Sequence, residues 1–244
     1  MDIRSRLVLG DPTSETQAIQ LLSLALSKAA SWLNRGSASD TRQLWASALM
    51  HAAGRAMTIG AVAGPETPTE ILALSARNTF ELYLRFKHIL LAEQNIQAWR
   101  DEAVTDQLQI YEGVLALESG QLTTIIREEM ERVRQHAESR GLSTSAKITR
   151  ISDLASTVGL ESEYAGFYKL YSKFVHPSSF TVNWPDAAST PMYRATFVWN
   201  LQQYGHALLE GAREAFGLPS EDLLKQASRE YVTALEKLRK PGSR

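Results

Sequence analysis

An all-α protein is predicted, and three features of the sequence predict it. Helix start and stop signals recur along the chain, the apolar–polar alternation of strands is almost absent, and apolar residues fall at three- and four-residue spacing. The expectation is a single multi-helix domain over 1–244, of about eight helices around a central apolar helix at about 68–92.

The elements follow in order. "SETQ" at 14–17 has the form of a capping box before an apolar pattern running to about Leu33, and Gly36 can close that helix. Asp40 can cap a second helix, in which Leu44, Trp45, Ala48, Leu49 and Ala52 recur at helical spacing. In "GPETPTE", Thr67 is placed as N-cap, Pro68 at the first helical position and Glu70 three residues after the cap. The helix this starts is apolar on nearly every side, which predicts a central position. An amphipathic helix near 95–118 and a strongly charged one near 121–140 come next. "SRGLS" stops the latter, with Gly141 in the left-handed cap position and Leu142 folding back.

Residues 142–150 read as loop, 151–157 as a short helix ending at "VGL", and 161–176 as an aromatic helix. "PSSFTVNWPDAASTP" reads as irregular, with an extended piece at 180–184. Thr190 and Pro191 start a helix to about Phe216, and "GLPSED" turns into a last helix at 219–239. The N-terminal helices (14–60) and C-terminal helices (191–239) should pack on a core of about 65–180. No repeat, low-complexity tract or long linker divides the chain.

Composition narrows the chemistry. The apolar fraction is 44% and the charged fraction 22%, ordinary for a globular protein. The absence of cysteine excludes disulfides, thiolate catalysis and Cys-ligated metal sites. A net charge of −1 gives no strong field toward nucleic acid or membrane. Two stretches lean basic, 127–150 and the tail 237–244, and both read as solvated ends and faces. The apolar run Leu7–Leu9 is too short for a secretory segment, and 71–91 carries Arg77, Glu81, Arg85, Lys87 and His88, too many charges for a bilayer span. A cytoplasmic protein without a membrane partner is expected.

The segment "YKLYSKFVHPSSF" (168–180) holds the candidate site. Pro177 disfavours helical geometry in the residue before it, so a helix should end at His176. Steps of four place Tyr168, Ser172 and His176 on one face, with Phe167, Leu170 and Phe174 on another. A matching polar stripe lies on the helix at 68–92, where Arg77, Glu81, Arg85 and His88 share an arc of about 80°. Two polar stripes on apolar helices are costly unless they satisfy each other. The chemistry available is an Arg fork for a phosphate, a His able to move a proton near neutral pH, and Tyr or Ser to orient. The same residues also suit a buried clamp between two helices.

The pairing of R-x-x-x-E ("RNTFE", 77–81) with Y-x-x-x-S-x-x-x-H-P ("YKLYSKFVHP", 168–177) resembles a family of uncharacterised bacterial all-α proteins over roughly 65–180. Through that family the chain is distantly similar to the HEPN superfamily of helical RNases and nucleotide-binding domains found in toxin–antitoxin and phage-defence systems. The resemblance implies an R-x(4–6)-H pair acting in metal-independent RNA cleavage across a homodimer. Here the positions that would hold the arginine are Lys169, Leu170 and Tyr171, and a lysine supplies charge without the bidentate fork. His176 carries over best.

The catalytic candidates are therefore His176, Arg77 and Glu81, and the ligand-binding candidates Tyr168, Lys169, Ser172 and Arg85. Expected partners are RNA or a nucleotide and a second copy of the chain. The alternative is a non-catalytic helical interaction module, or a small-molecule sensor, in which the cluster is structural. No cofactor or metal is expected. Ala48, Arg85, Val133, Lys173 and Gln203 stand three residues before the five histidines, so the Glu-x-x-His di-iron motif is absent. G-x-S-x-G, P-loop and G-x-G-x-x-G motifs are absent as well.

Overall fold

A computed structural model describes residues 7–36, 40–117, 120 and 122–239. Among the described residues the chain is all-helical, with no strand. Helix α1 (Pro12–Gly36) starts ahead of the expected capping box. Asp11 accepts from the Ser14 backbone N–H at 2.8 Å and from the Ser14 hydroxyl at 2.6 Å, and Pro12 fills the first helical position. Helix α2 (Thr41–Gly60) is capped by Asp40, as the sequence predicts. Before α3 (Thr69–Leu91) the cap falls on Pro68 rather than Thr67. The Thr67 hydroxyl turns back instead and donates to the Gly64 carbonyl at 2.8 Å, closing a 3-10 turn over Gly64–Glu66.

Helices α4 (Glu93–Leu117) and α5 (Leu122–Ser139) form a hairpin. Gly141 takes the left-handed conformation at φ +62°, and the Leu142 N–H returns to the Ala137 carbonyl at 2.9 Å. Helix α6 (Ile151–Thr157) ends the same way, with Gly159 at φ +72° and Leu160 N–H on the Ala155 carbonyl at 2.8 Å.

Residues 161–190 differ most from expectation. The aromatic helix runs without a break from Glu161 to Val175, but a π turn over Tyr164–Tyr168 divides it into α7 (Glu161–Glu163) and α8 (Lys169–Val175). His176 lies just past the helix in extended backbone, φ −110° and ψ 146°, the geometry that a following proline imposes. The extended piece expected at 180–184 does not form. Helices α9 (Ser179–Asn183) and α10 (Pro185–Ala188) stand there, because Ser178 and Thr181 cap α9 reciprocally and Pro185 opens α10. These short pieces raise the helix count above the eight expected. Helices α11 (Pro191–Phe216) and α12 (Ser220–Arg239) complete the fold. The basic tail past Arg239 lies outside the described residues.

One apolar core draws on α1, α2, α3, α6, α8, α11 and α12. Its largest fully buried side chains include Phe80, Phe86, Tyr171, Phe197 and Tyr204. Helix α3 packs against α2, α4, α6, α8 and α11. It is not buried on every side, however. Arg77, Asn78, Glu81 and Leu82 remain half-buried along one flank. The hairpin has a small core of its own, Val104, Leu108, Met130 and Ala137, and α5 packs chiefly on α4. No helix among the described residues is long and apolar enough to cross a membrane.

Candidate functional site

Arg77 is the hub of the site. Its Nε donates to Glu81 Oε1 at 2.8 Å, one turn along α3, in the i,i+4 geometry that favours such pairs. One terminal nitrogen donates to the Tyr168 hydroxyl at 2.7 Å, and the other stands 3.4 Å from His176 Nε2. The guanidinium carbon also lies 4.9 Å from the centre of the Tyr168 ring. Arginine only donates, so the imidazole nitrogen facing it accepts in this arrangement. The π turn places Tyr168 for this contact and stacks it on Tyr164 at 4.6 Å.

The site is half open. The side chains of Arg77 and Glu81 are 21% and 26% exposed, and His176 is exposed. Burial lowers the pKa of Arg77, but the hydrogen bond and charge of Glu81, helped by Tyr168, outweigh it and raise the value overall. Burial, followed by the Glu81 charge, raises the Tyr168 phenol against the opposing pull of Arg77.

The remaining predicted residues divide. Lys169 and Lys173 are exposed on α8. Ser172 is half-buried, and no hydrogen bond joins it to Arg77 or Glu81. Arg85 leaves the cluster altogether. It is 6% exposed, and its two terminal nitrogens meet the Glu102 carboxylate at 2.7 and 3.3 Å, with its guanidinium carbon 4.4 Å from the Trp99 ring centre. Glu102 is only 2% exposed, and a carboxylate so buried requires a counter-charge, which draws Arg85 toward α4. Thr149 adds its backbone N–H at 3.2 Å and its hydroxyl to the same carboxylate.

Sequence reading missed Glu102. The signal was a carboxylate in the stripe Trp99, Glu102, Thr105, Leu108, where an apolar residue would be expected. It also missed a partly buried bond that the Tyr204 hydroxyl donates to Glu163 Oε2 at 2.7 Å; burial above all raises the pKa of this phenol. Trp184 is 66% exposed.

Next to the cluster, Glu81 also borders an open cavity of about 510 Å³ between α2, α3, α4 and α6. Among the described residues no group of three metal-ligating side chains comes together.

Every member of the cluster falls in one matched segment. Residues 70–183 match the model of DUF5677, a family of unknown function. The matched segment runs from the start of α3 to the end of α9 and leaves out α1, α2, α11 and α12. It agrees with the uncharacterised family that the paired motifs resemble. No curated protein and no solved structure matches the chain.

Proposed function

We propose that this protein binds a phosphate-bearing ligand, RNA or a nucleotide, at the Arg77–Glu81–Tyr168–His176 cluster. The observation that carries the reading is the open side of Arg77. Its three side-chain partners occupy three of the five N–H donors of a guanidinium, and exposed His176 stands beside it. Lys169 and Lys173 add two exposed cations on α8, so a ligand's phosphate meets positive charge from two elements. The HEPN-like resemblance supports the same ligand class and a setting in stress response, toxin–antitoxin pairing or phage defence. It also supports a homodimer, for which the exposed Ile110, Leu117, Leu122 and Ile125 of the α4–α5 hairpin offer an apolar face.

The test is titration of a fluorescent single-stranded RNA and of ATP at low and high salt, followed by incubation with total RNA. Binding that weakens with salt and drops in Arg77→Gln and in Lys169→Ala is expected. If His176 acts as acid or base, His176→Ala removes roughly two to four orders of magnitude of any cleavage. Because His176 is exposed, its melting temperature should stay close to wild type. Salt-independent or absent binding by folded protein overturns the proposal.

A second reading has its own support. The 2.7 Å bond from Arg77 to Tyr168 ties α3 to the π turn, which suits a non-catalytic interaction module in which the cluster fixes packing. Under that reading Tyr168→Phe lowers stability by about 1 kcal/mol and changes no RNA or nucleotide binding.

A further inference from the structure

The 510 Å³ cavity beside the cluster has a distinct chemistry. Its hollow has a local cause. Helix α2 presents Ala52 and Ala56, one turn apart, where Leu82 of α3 and Trp99 of α4 face them, and two methyl groups leave the seam between three helices unfilled. The volume falls within the roughly 300–1,000 Å³ usual for small-molecule sites.

The polar groups on its wall sort into two kinds. Glu81 and Arg85 are occupied, by Arg77 and by Glu102 respectively. Arg55, Asn78 and Asp106 also line the cavity, and none has a hydrogen bond or ion pair among the described residues. Arg55 on α2 and Asp106 on α4 bring opposite charges to the cavity from two helices and do not pair with each other. An apolar floor with one free cation, one free anion and one free amide complements a ligand that carries both charges at the end of an apolar body.

We propose that this cleft binds a small zwitterion, an α-amino acid with a large apolar side chain. The carboxylate meets the Arg55 guanidinium, the ammonium meets Asp106, and the side chain lies over Ala52, Ala56 and Leu82. Asn78, with two donors and an acceptor, serves either end. Neither Arg77 nor His176 lines the cavity. Glu81, which borders both cluster and cavity, is taken up by Arg77 and has no role in the zwitterion contacts, so the proposal does not rest on phosphate binding at the cluster.

The experiment is isothermal titration calorimetry of the full chain with leucine, phenylalanine and tryptophan. For each amino acid, the two one-ended analogues that lack its carboxylate or its ammonium (3-methylbutylamine and 4-methylpentanoate for leucine) are titrated alongside. Saturable binding of at least one amino acid is expected, with both matching analogues weaker by about tenfold or more. Arg55→Glu and Asp106→Lys, both at exposed positions, each weaken binding by about tenfold or more while the circular dichroism melt is preserved. His176→Ala leaves binding unchanged. The inference is overturned if folded wild type binds none of the three amino acids, if an analogue binds as tightly as its amino acid, or if the two charge variants bind like wild type.

Discussion

His88 shows how a single side chain takes its chemistry from its surroundings. It closes the polar stripe of α3 in sequence, yet its ring stands away from the cluster and near the Arg85–Glu102 pair. Burial first, and the Arg85 charge second, push its pKa below the ordinary 6.5, with Glu102 pulling the other way. Its buried Nδ1 has no hydrogen-bond partner, in keeping with a neutral ring. The unfolded chain therefore takes up a proton more readily than the folded one. This contribution to stability is complete above pH 6.5 and is lost as pH falls through and below that value. Thermal melts from about pH 7.5 to about pH 5.5 should show a decline that His88→Gln makes shallower. An identical decline in both proteins would remove His88 as its source.

Between elements, two arginines eight residues apart on α3 do different work. Arg77 joins α3 to the π turn and stays partly hydrated, whereas Arg85 joins α3 to α4 in a nearly buried pair. Arg85→Ala strands the buried Glu102 carboxylate and should cost about 3–5 kcal/mol in urea denaturation. Arg77→Ala leaves Glu81 able to reach water and should cost about 1 kcal/mol. The double variant Arg85→Ala with Glu102→Ala should recover much of the larger loss, because the penalty lies in the unpaired charge. Equal losses from the two arginines would mean that the burial difference does not govern their energetics.

Over the whole molecule, packing is uneven. Helices α1, α2, α3 and α11 share the main core, while α5 leans on α4 with a core of four buried side chains. Fewer buried apolar contacts mean a lower free energy of local opening. Amide hydrogen exchange followed by mass spectrometry should therefore show α5 and the distal half of α4 exchanging well before α3 and α11. Equal protection across these helices would show that the hairpin opens only with global unfolding.

Local signals determined much of this protein. Asp40 as a cap, the left-handed Gly141, the helix break at Pro177 and the all-helical class are effects of near neighbours in the chain, and sequence carries them directly. The approach of Arg77, itself paired with Glu81, to Tyr168 and His176 was legible too, because two polar stripes on apolar helices call for each other. Other features depend on what lies across the fold. Helical spacing placed Arg85 in the same arc as Arg77, and only the position of buried Glu102 on α4 decided where its side chain went. The π turn inside the aromatic helix and the two short helices after Pro177 likewise had no separate mark in the aromatic pattern. Whether α3 would be enclosed was a matter for its neighbours: periodicity names the residues that seek burial, and the distance between α2 and α4 decides whether that flank is filled or left as a cavity.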